Sequence, residues 1–161
     1  MKQTKVKENE RKHSEKALMS EKENFRNSLE MSPFGIEILK LNGDLLFVNR
    51  KMLEIWGYES LEDLKQIPLS QRFVPESIQT IRDLKKRSQQ GQIPEQCGMS
   101  IICKDGQIRD LHAYTGFVVW NGEQCAQVFF EDITGRNRAE TRLTEEQNNF
   151  YQSIAKSPVI L

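Results

Sequence analysis

The feature that most constrains the fold is the stretch 107–134, where two strand-like runs flank a tight-turn dipeptide. From residue 110 to residue 119, apolar residues alternate with polar or small ones, which is the period-two pattern of a strand with one buried face. Asn121-Gly122 follows and favours a type I′ turn, which needs positive φ at both positions. After Asp132 the chain becomes charged and helix-forming, so we expect a long hairpin joined directly to an outgoing helix. The predicted buried face of its first strand carries Leu111, Ala113, Thr115, Phe117 and Val119.

Shorter apolar runs and turn residues complete the predicted domain. Further strands are predicted at 35–41, 45–49 and 96–103. Helical segments are predicted at 50–56, closed by Gly57, at 61–65, and from Pro75 to just before Gly91. Two strands, several helices and then three strands predict an α+β fold, a five-stranded antiparallel sheet with helices on one face, flanked by N- and C-terminal linker helices.

The two ends of the chain are predicted to be linkers. Residues 1–31 contain no proline or glycine and indicate a charged lead followed by an amphipathic helix from about Ser14. We therefore expect a linker at 1–31, a domain at 32–134, and a second linker helix at 135–161. Residues 145–158 resemble residues 20–33, which favours the start of a second, truncated repeat. The alternative is a chance similarity between two charged helices.

Composition excludes several classes of function. Lys plus Arg and Asp plus Glu both number 23, so no bulk charge favours nucleic acid or an anionic membrane. No apolar run approaches the roughly 20 residues that span a bilayer. Cys97, Cys103 and Cys125 lack CxxC spacing, and we expect them to be small apolar residues of strands rather than redox or metal groups. A reducing cytoplasm is the expected compartment.

Several short motifs, in order and over roughly 110 residues, resemble PAS domains of the S-box kind. The resemblance is carried by Ser32-Pro33 with Gly35, Asn42-Gly43, Val48-Asn49, Trp56-Gly57-Tyr58, Lys104-Asp105-Gly106, Asp132-Ile133-Thr134 and Arg138-Ala139-Glu140. It implies a small cavity under the helices and a homodimer formed through the flanking helices. It also implies a sensor of a multi-PAS signalling protein, with an adjacent PAS domain or an effector such as a histidine kinase or a cyclic-dinucleotide enzyme as its partner.

The cavity implied by the resemblance can be mapped by strand and helix parity, although each residue could instead simply fill the core. Its predicted lining is Phe47, Leu53, Trp56, Ile78, Ile81, Met99, Ile101, Leu111, Ala113 and Phe129. Polar groups able to orient a ligand are limited to Thr115, Gln127 and Tyr114. We therefore expect a small apolar ligand or no ligand.

The sequence lacks the residues by which related domains bind haem or form a covalent flavin adduct. Residues 75–90 contain no histidine that could bind haem, and the segment near residue 70 lacks the cysteine of a covalent flavin adduct. His112 is predicted to point away from the inner face, with no partners spaced for a metal. The cofactor, if any, is unknown.

No catalytic constellation accompanies the predicted cavity, so any kinase or cyclase activity would lie outside these residues. Asp132, Ile133 and Thr134 are predicted to form the signal junction, with Asp132 or Thr134 capping the outgoing helix. Three functional classes follow: a ligand-responsive sensor, a ligand-free dimerisation and signal-relay spacer, and the N-terminal part of an enzyme.

Overall fold

The long hairpin forms one half of a five-stranded antiparallel sheet with the strand order β2-β1-β5-β4-β3. The structure, a computed structural model, describes residues 2–92 and 96–156. The strands are β1 Gly35–Lys40, β2 Leu45–Val48, β3 Gln96–Ile102, β4 Ile108–Trp120 and β5 Glu123–Asp132. Asn121 and Gly122 have φ angles of 49° and 83°, which confirms the predicted positive-φ turn between β4 and β5.

Strand β5 holds the sheet together because it pairs with its hairpin partner β4 on one side and with β1, which is distant in the sequence, on the other. It pairs with β4 from Leu111↔Asp132 to Trp120↔Glu123, and with β1 from Gly35↔Phe130 to Lys40↔Cys125. The sheet therefore closes by pairing across the helical insert. This confirms the predicted α+β fold.

Six helices surround this sheet in the described part of the chain. They are α1 Lys2–Glu30, α2 Arg50–Trp56, α3 Leu61–Lys65, α4 Leu69–Arg72, α5 Pro75–Gln89 and α6 Thr134–Lys156. Helix α2 ends at Gly57 in the left-handed conformation, with φ of 80°, as predicted. None of the described helices is long and apolar enough to cross a membrane.

Helix α1 begins well before Ser14, where the sequence analysis placed its start. The charged lead is rich in Lys, Glu, Arg and Gln, which are strong helix formers. Ion pairs one turn apart join Lys12 to Glu8 and Arg11 to Glu15, with N···O distances of 3.3 Å in both. Such pairs add a few tenths of a kcal/mol each, about 0.2–0.5, so the helix continues through the lead.

The sheet has an inner face, which contacts α2–α5, and an outer face, which contacts the last turns of α1. The inner cluster includes Met52, Trp56, Leu64, Ile101, Leu111 and Ala113. The outer cluster consists of the buried residues Leu29, Ile36, Ile38, Phe47 and Cys125. Helix α1 is thus attached to the domain through Leu29, the only residue of that helix that is buried among those described.

The predicted burial of Phe117 and Val119 is wrong, since their side chains are 41% and 72% exposed. They keep the parity of Leu111, but β4 extends here beyond the helices of the inner face. On the opposite side, Val118 and Trp120 pack against the outer cluster, and the Trp120 ring lies 6.4 Å from that of Phe25. Near the end of β4, the side chains that are partly buried are therefore those on the outer face, where α1 packs.

Candidate functional site

A cavity of about 370 Å³ lies between the inner face of the sheet and helices α4 and α5. Much of its wall is apolar and comes from Leu39, Phe73, Met99, Ala126, Val128 and Phe130. It opens beside the turn between β1 and β2. A space of this size, partly enclosed and mainly apolar, is typical of small-molecule sites.

Glu37 is a buried acidic group in the wall of the cavity. It lies on β1 between Ile36 and Ile38, is only 6% exposed, and lines the cavity. The indole Nε1 of Trp56 donates a hydrogen bond of 3.3 Å to Glu37 Oε1. Burial raises the pKa of Glu37 from 4.5 to about 7, against the opposing effects of Arg72 and the Trp56 hydrogen bond. Glu37 therefore changes charge near neutral pH.

Arg72, the last residue of α4, is the cation whose charge acts on Glu37 and lowers the pKa of that carboxyl. Its guanidinium carbon lies 5.8 Å from the ring centre of Trp56 and 5.9 Å from that of Phe73, within the range of cation–π attraction. Burial lowers the pKa of Arg72, while the charge of Glu37 acts to raise it. Its Nε is buried and has no hydrogen-bond partner, alone among the buried side-chain nitrogens and oxygens of the described residues. The site thus contains a buried donor without an acceptor.

The mouth of the cavity carries further charges. Lys40 and Lys85 both line it, and Lys40 also pairs with Glu123 at 3.6 Å. Gly43, with φ of 94°, holds the turn beneath the Lys85 side chain, where a Cβ would lie 3.5 Å from Lys85 Cδ. Asp44 accepts a hydrogen bond from Asn42 Nδ2 at 2.9 Å. The mouth therefore presents two lysines and one carboxylate.

The predicted lining residues separate into three groups. Ile81 and Met99 line the cavity. Trp56, Ile101, Leu111 and Ala113 are buried in the inner cluster, with Leu53 and Ile78 packed against it. Phe47 and Phe129 belong to the outer cluster, which corrects their predicted position. Parity failed for these two because their strands, β2 and β5, carry apolar residues on both faces, so alternation does not reveal which face is which.

The predicted polar groups are also corrected. Thr115 lines the cavity, but Gln127 pairs with Ile38 and Tyr114 with Phe129, and Ile38 and Phe129 belong to the outer cluster. The cavity wall also carries Glu37 and Arg72, which were not predicted from the sequence. The signal available in the sequence was a single glutamate, Glu37, within the apolar strand β1. This strand lies between β2 and β5 in the sheet.

The predicted junction residues meet at the end of β5, where the outgoing helix α6 begins. Asp132 Oδ1 accepts hydrogen bonds from the Thr134 N–H at 3.0 Å and from Thr134 Oγ1 at 2.6 Å. Asp132 Oδ2 pairs with Arg109 Nη1 at 3.0 Å. Burial alone would raise the pKa of Asp132, but the hydrogen bonds from Thr134 and Arg109 outweigh it and hold this pKa below its usual value.

Strand β4 is also tied to the first turn of α6. The Asp110 N–H donates to Thr134 Oγ1 at 2.9 Å, and the Ile133 N–H donates to the Asp110 carbonyl at 2.9 Å. Asn137 Nδ2 donates to Asp110 Oδ2 at 3.3 Å. The start of α6 is therefore bonded to two strands at once, and it is fixed in direction relative to the sheet.

A corresponding junction joins α1 to the domain through Asn49, which is fully buried. Its Nδ2 donates to the carbonyls of Leu29 and Phe34, and its Oδ1 accepts from the N–H groups of Ile36 and Met52. One side chain thus joins the end of α1, the start of β1 and the first turn of α2. The motif Val48-Asn49 in the sequence carries this role.

His112 lies as predicted, away from the inner face. Its Nε2 is 3.0 Å from Gln96 Oε1, and its ring packs 4.8 Å from that of Tyr114. Within the described ranges, no group of three His, Cys, Asp or Glu residues could hold a metal ion. The three cysteines are free thiols, each with a pKa raised by burial.

Comparison with known proteins agrees with this geometry. The family model described as the PAS fold matches residues 23–133. The structure is similar to that of a PAS domain from Desulfitobacterium hafniense, with 22% identity and a TM-score of 0.55 over 66% of this chain and 98% of the other. It is also similar to the PAS domain of an HTR-like protein from Haloarcula marismortui, with 21% identity and a TM-score of 0.55 over 76% and 99%.

A third similar structure is a domain of the sensory box sensor histidine kinase/response regulator from Geobacter sulfurreducens. It has 15% identity and a TM-score of 0.52 over 70% of this chain and 95% of the other. None of the curated proteins compared with the chain matches it. At these identities, the three structural likenesses establish the fold.

Proposed function

This chain belongs to the PAS family, and we propose that it is a sensory signalling module whose inner-face cavity binds a small ligand. The observation that carries the proposal is the cavity of about 370 Å³ with Glu37 and Arg72 in its wall. Charged groups in an otherwise apolar wall cost free energy unless they are compensated. Their presence in a cavity is therefore better explained by recognition than by core packing.

The path from cavity to output runs along β5. Val128 and Phe130 line the cavity, and Asp132, four residues beyond Val128, begins the C-terminal junction. At about 3.3 Å per strand residue, the two positions are roughly 13 Å apart. A ligand that shifts β5 would therefore move the first turn of α6, which is how we propose that occupancy is relayed.

The proposed partners are a second copy of the chain and a downstream effector. The flanking helices leave apolar side chains exposed at coiled-coil spacing, with Leu18 and Phe25 seven residues apart on α1, and Leu143 and Phe150 seven apart on α6. Such a seam is stabilised when a second helix covers it. We propose a homodimer through these helices and a cytoplasmic effector such as a histidine kinase or a cyclic-dinucleotide enzyme. The role assigned to this chain is sensory, not catalytic.

A second candidate function is a ligand-free dimerisation and signal-relay spacer in a multi-PAS receptor. The observation that favours it is the repeat: Ser28 Oγ donates to the Phe25 carbonyl at 2.6 Å, and Ser153 Oγ to the Phe150 carbonyl at 2.7 Å. The corresponding helices thus carry the same local bond. The remaining part of the repeat, residues 157–161, lies outside the described residues.

Native mass spectrometry of the purified chain distinguishes the two candidates. The sensor predicts a bound small molecule in the wild type, which is absent from Met99→Trp, because the larger side chain fills the cavity. Val119→Trp, on an exposed part of the same sheet, is the matched control and should retain the molecule. A wild type without any bound species, and whose melting temperature does not respond to a metabolite panel, would support the spacer.

A further inference from the structure

We infer that the cavity accepts a small amphiphilic monocarboxylate, with its carboxylate against Arg72 and its apolar body along Phe73, Met99 and Phe130. This inference rests on the proposed function of the cavity as a ligand site. It goes further in naming the charge of the ligand and the direction in which the ligand lies. It also assigns a separate role to Glu37.

The first argument is Arg72, a cation in the cavity wall whose guanidinium is already partly removed from water. A charged group that has lost part of its hydration regains free energy when a ligand supplies an acceptor to it. A carboxylate does this best, because it can accept two parallel N–H bonds from a guanidinium. The guanidinium is held near Trp56 and Phe73 by cation–π contacts of 5.8 and 5.9 Å, so it is already positioned.

The second argument is the balance of charge around the cavity. Its cationic side chains are Arg72, Lys40 and Lys85, and its acidic ones are Glu37 and Asp44. Glu37, with its raised pKa, is only partly ionised at neutral pH. Lys40 is paired with Glu123, so Arg72 and Lys85 remain against Asp44 and a partly ionised Glu37. The remaining net charge is small and positive, which favours an anion over an amine.

The third argument is the apolar character of the rest of the wall. Beyond the charged groups, the ligand would contact Leu39, Phe73, Met99, Val128 and Phe130. A dicarboxylate or a phosphorylated sugar would place a second charge or several hydroxyls against these side chains, at a desolvation cost. One carboxylate on an alkyl or aryl body fits both parts of the site.

Because Glu37 changes charge near pH 7, ligand affinity should depend on pH. The direction of that dependence shows whether the ligand is an anion or an amine. A bound anion favours the neutral form of Glu37, so binding takes up a proton from solvent, and affinity falls as pH rises through about 7. A bound amine would have the opposite effect. The other charged groups facing Glu37 are Arg72, Lys40, Lys85 and Asp44, with Tyr58 acting on Arg72.

The test is calorimetric titration of the full chain with a set of probes that differ in charge. The anions are straight-chain monocarboxylates of four to ten carbons and 3-phenylpropionate. The matched neutral and cationic probes are 3-phenylpropionamide and 3-phenylpropylamine. Each is titrated at pH 6 and pH 8 into the wild type and into Arg72→Met, Arg72→Lys and Glu37→Gln. Arg82→Met, which removes an exposed arginine of α5 outside the cavity wall, is the control.

The inference predicts that at least one carboxylate binds at least tenfold more tightly than its amide or amine. Affinity should fall roughly three- to tenfold from pH 6 to pH 8 in the wild type, and Glu37→Gln should bind with little pH dependence. Arg72→Met should lose at least tenfold and Arg72→Lys somewhat less, while Arg82→Met matches the wild type. Thermal unfolding of each variant shows that the lost affinity is not lost folding.

Three results would overturn the inference: no carboxylate binding below 10 mM, tighter binding of the amine, or affinity that rises with pH. If one of these occurs while native mass spectrometry finds another bound molecule that Met99→Trp removes, the proposed sensor survives and only the ligand class is wrong. If no molecule of any class is found, the proposed function fails as well.

Discussion

On β1, Ile36 and Ile38 are buried in the outer cluster with Leu29 and Phe47, whereas Glu37 between them faces a cavity of about 370 Å³ on the inner side. The same three residues therefore belong to two different environments. The outer face packs apolar side chains against α1, and the inner face leaves space beside charged groups. The alternation of side chains along a strand places the attachment of α1 on one face and the proposed ligand site on the other.

This contrast separates the proposed ligand site from the packing that attaches α1 to the domain. Attachment of α1 depends on dense apolar packing and on Asn49, which lie away from the cavity. The outgoing helix α6 instead begins on β5, whose Val128 and Phe130 line the cavity. We therefore expect the two flanking helices to respond differently, with α6 sensitive to the cavity and α1 sensitive to the outer cluster.

The largest effect is expected on the outer face. Phe47→Ala should lower the free energy of unfolding by about 3–5 kcal/mol, because it removes a buried aromatic side chain and leaves a void. Ile81→Ala, a truncation at the half-buried wall of the cavity, should lower it by only about 1 kcal/mol. Urea unfolding of both variants measures this difference, and equal losses would remove the distinction between the faces.

The next effect belongs to Glu37 and depends on pH. Its pKa in the folded chain is raised to about 7, so ionising it disfavours the folded state, and its contribution to stability is lost as pH rises from about 4.5 through 7. Glu37→Gln carries no charge at any pH. From pH 4.5 to pH 8, the stability of the variant relative to the wild type should rise by about 2–3 kcal/mol.

Chemical denaturation at several pH values measures this rise, with Glu30→Gln as control. Glu30 is exposed and accepts one hydrogen bond from the Arg50 N–H. The difference in the free energy of unfolding between Glu37→Gln and the wild type could instead stay constant with pH. That result would show that the pKa of Glu37 is not raised by burial, and the proposed contrast between the two faces would fail.

The smallest effect on stability is expected at the C-terminal junction. Asp132→Ala removes the acceptor for the Thr134 N–H and an ion pair with Arg109 whose side chains are partly exposed, at a cost of about 1 kcal/mol. Ligand affinity should be nearly unchanged, whereas the response of α6 to the cavity should weaken. Glu131→Ala, which loses only a 3.9 Å ion pair with Arg136, is the control. Loss of both affinity and response, or of neither, would contradict the proposed role of the junction.

The sequence could predict those parts of the fold that are determined locally. The positive-φ turn at Asn121-Gly122, the cap at Gly57 and the helix that starts at Pro75 follow from the conformations these residues favour, and the structure has all of them. The order of two strands, several helices and three strands then predicted the sheet, and the charged residues after Asp132 predicted the outgoing helix. These features need no knowledge of which side chains meet across the sheet.

The site could be predicted less well because it depends on long-range packing. The position of Phe47 depends on α1 covering the outer face, which the polar composition of α1 did not indicate. The charge of Arg72 acts on Glu37 because a four-residue helix, α4, ends beside β3, where Phe73 bridges Ile101. Neither the register of β1 nor the place of α4 is encoded in local patterns, so the charged end of the cavity was missed.

The central claim is that the inner-face cavity and the start of α6 are coupled through β5, and amide hydrogen exchange tests it most directly. Met99→Trp places a large side chain in the cavity, and Val119→Trp places the same side chain outside it. We predict that only Met99→Trp changes exchange at residues 133–137, by at least threefold, and that Asp132→Ala in the same chain abolishes the change. Exchange that changes around the cavity but stops short of residue 132 would contradict the account.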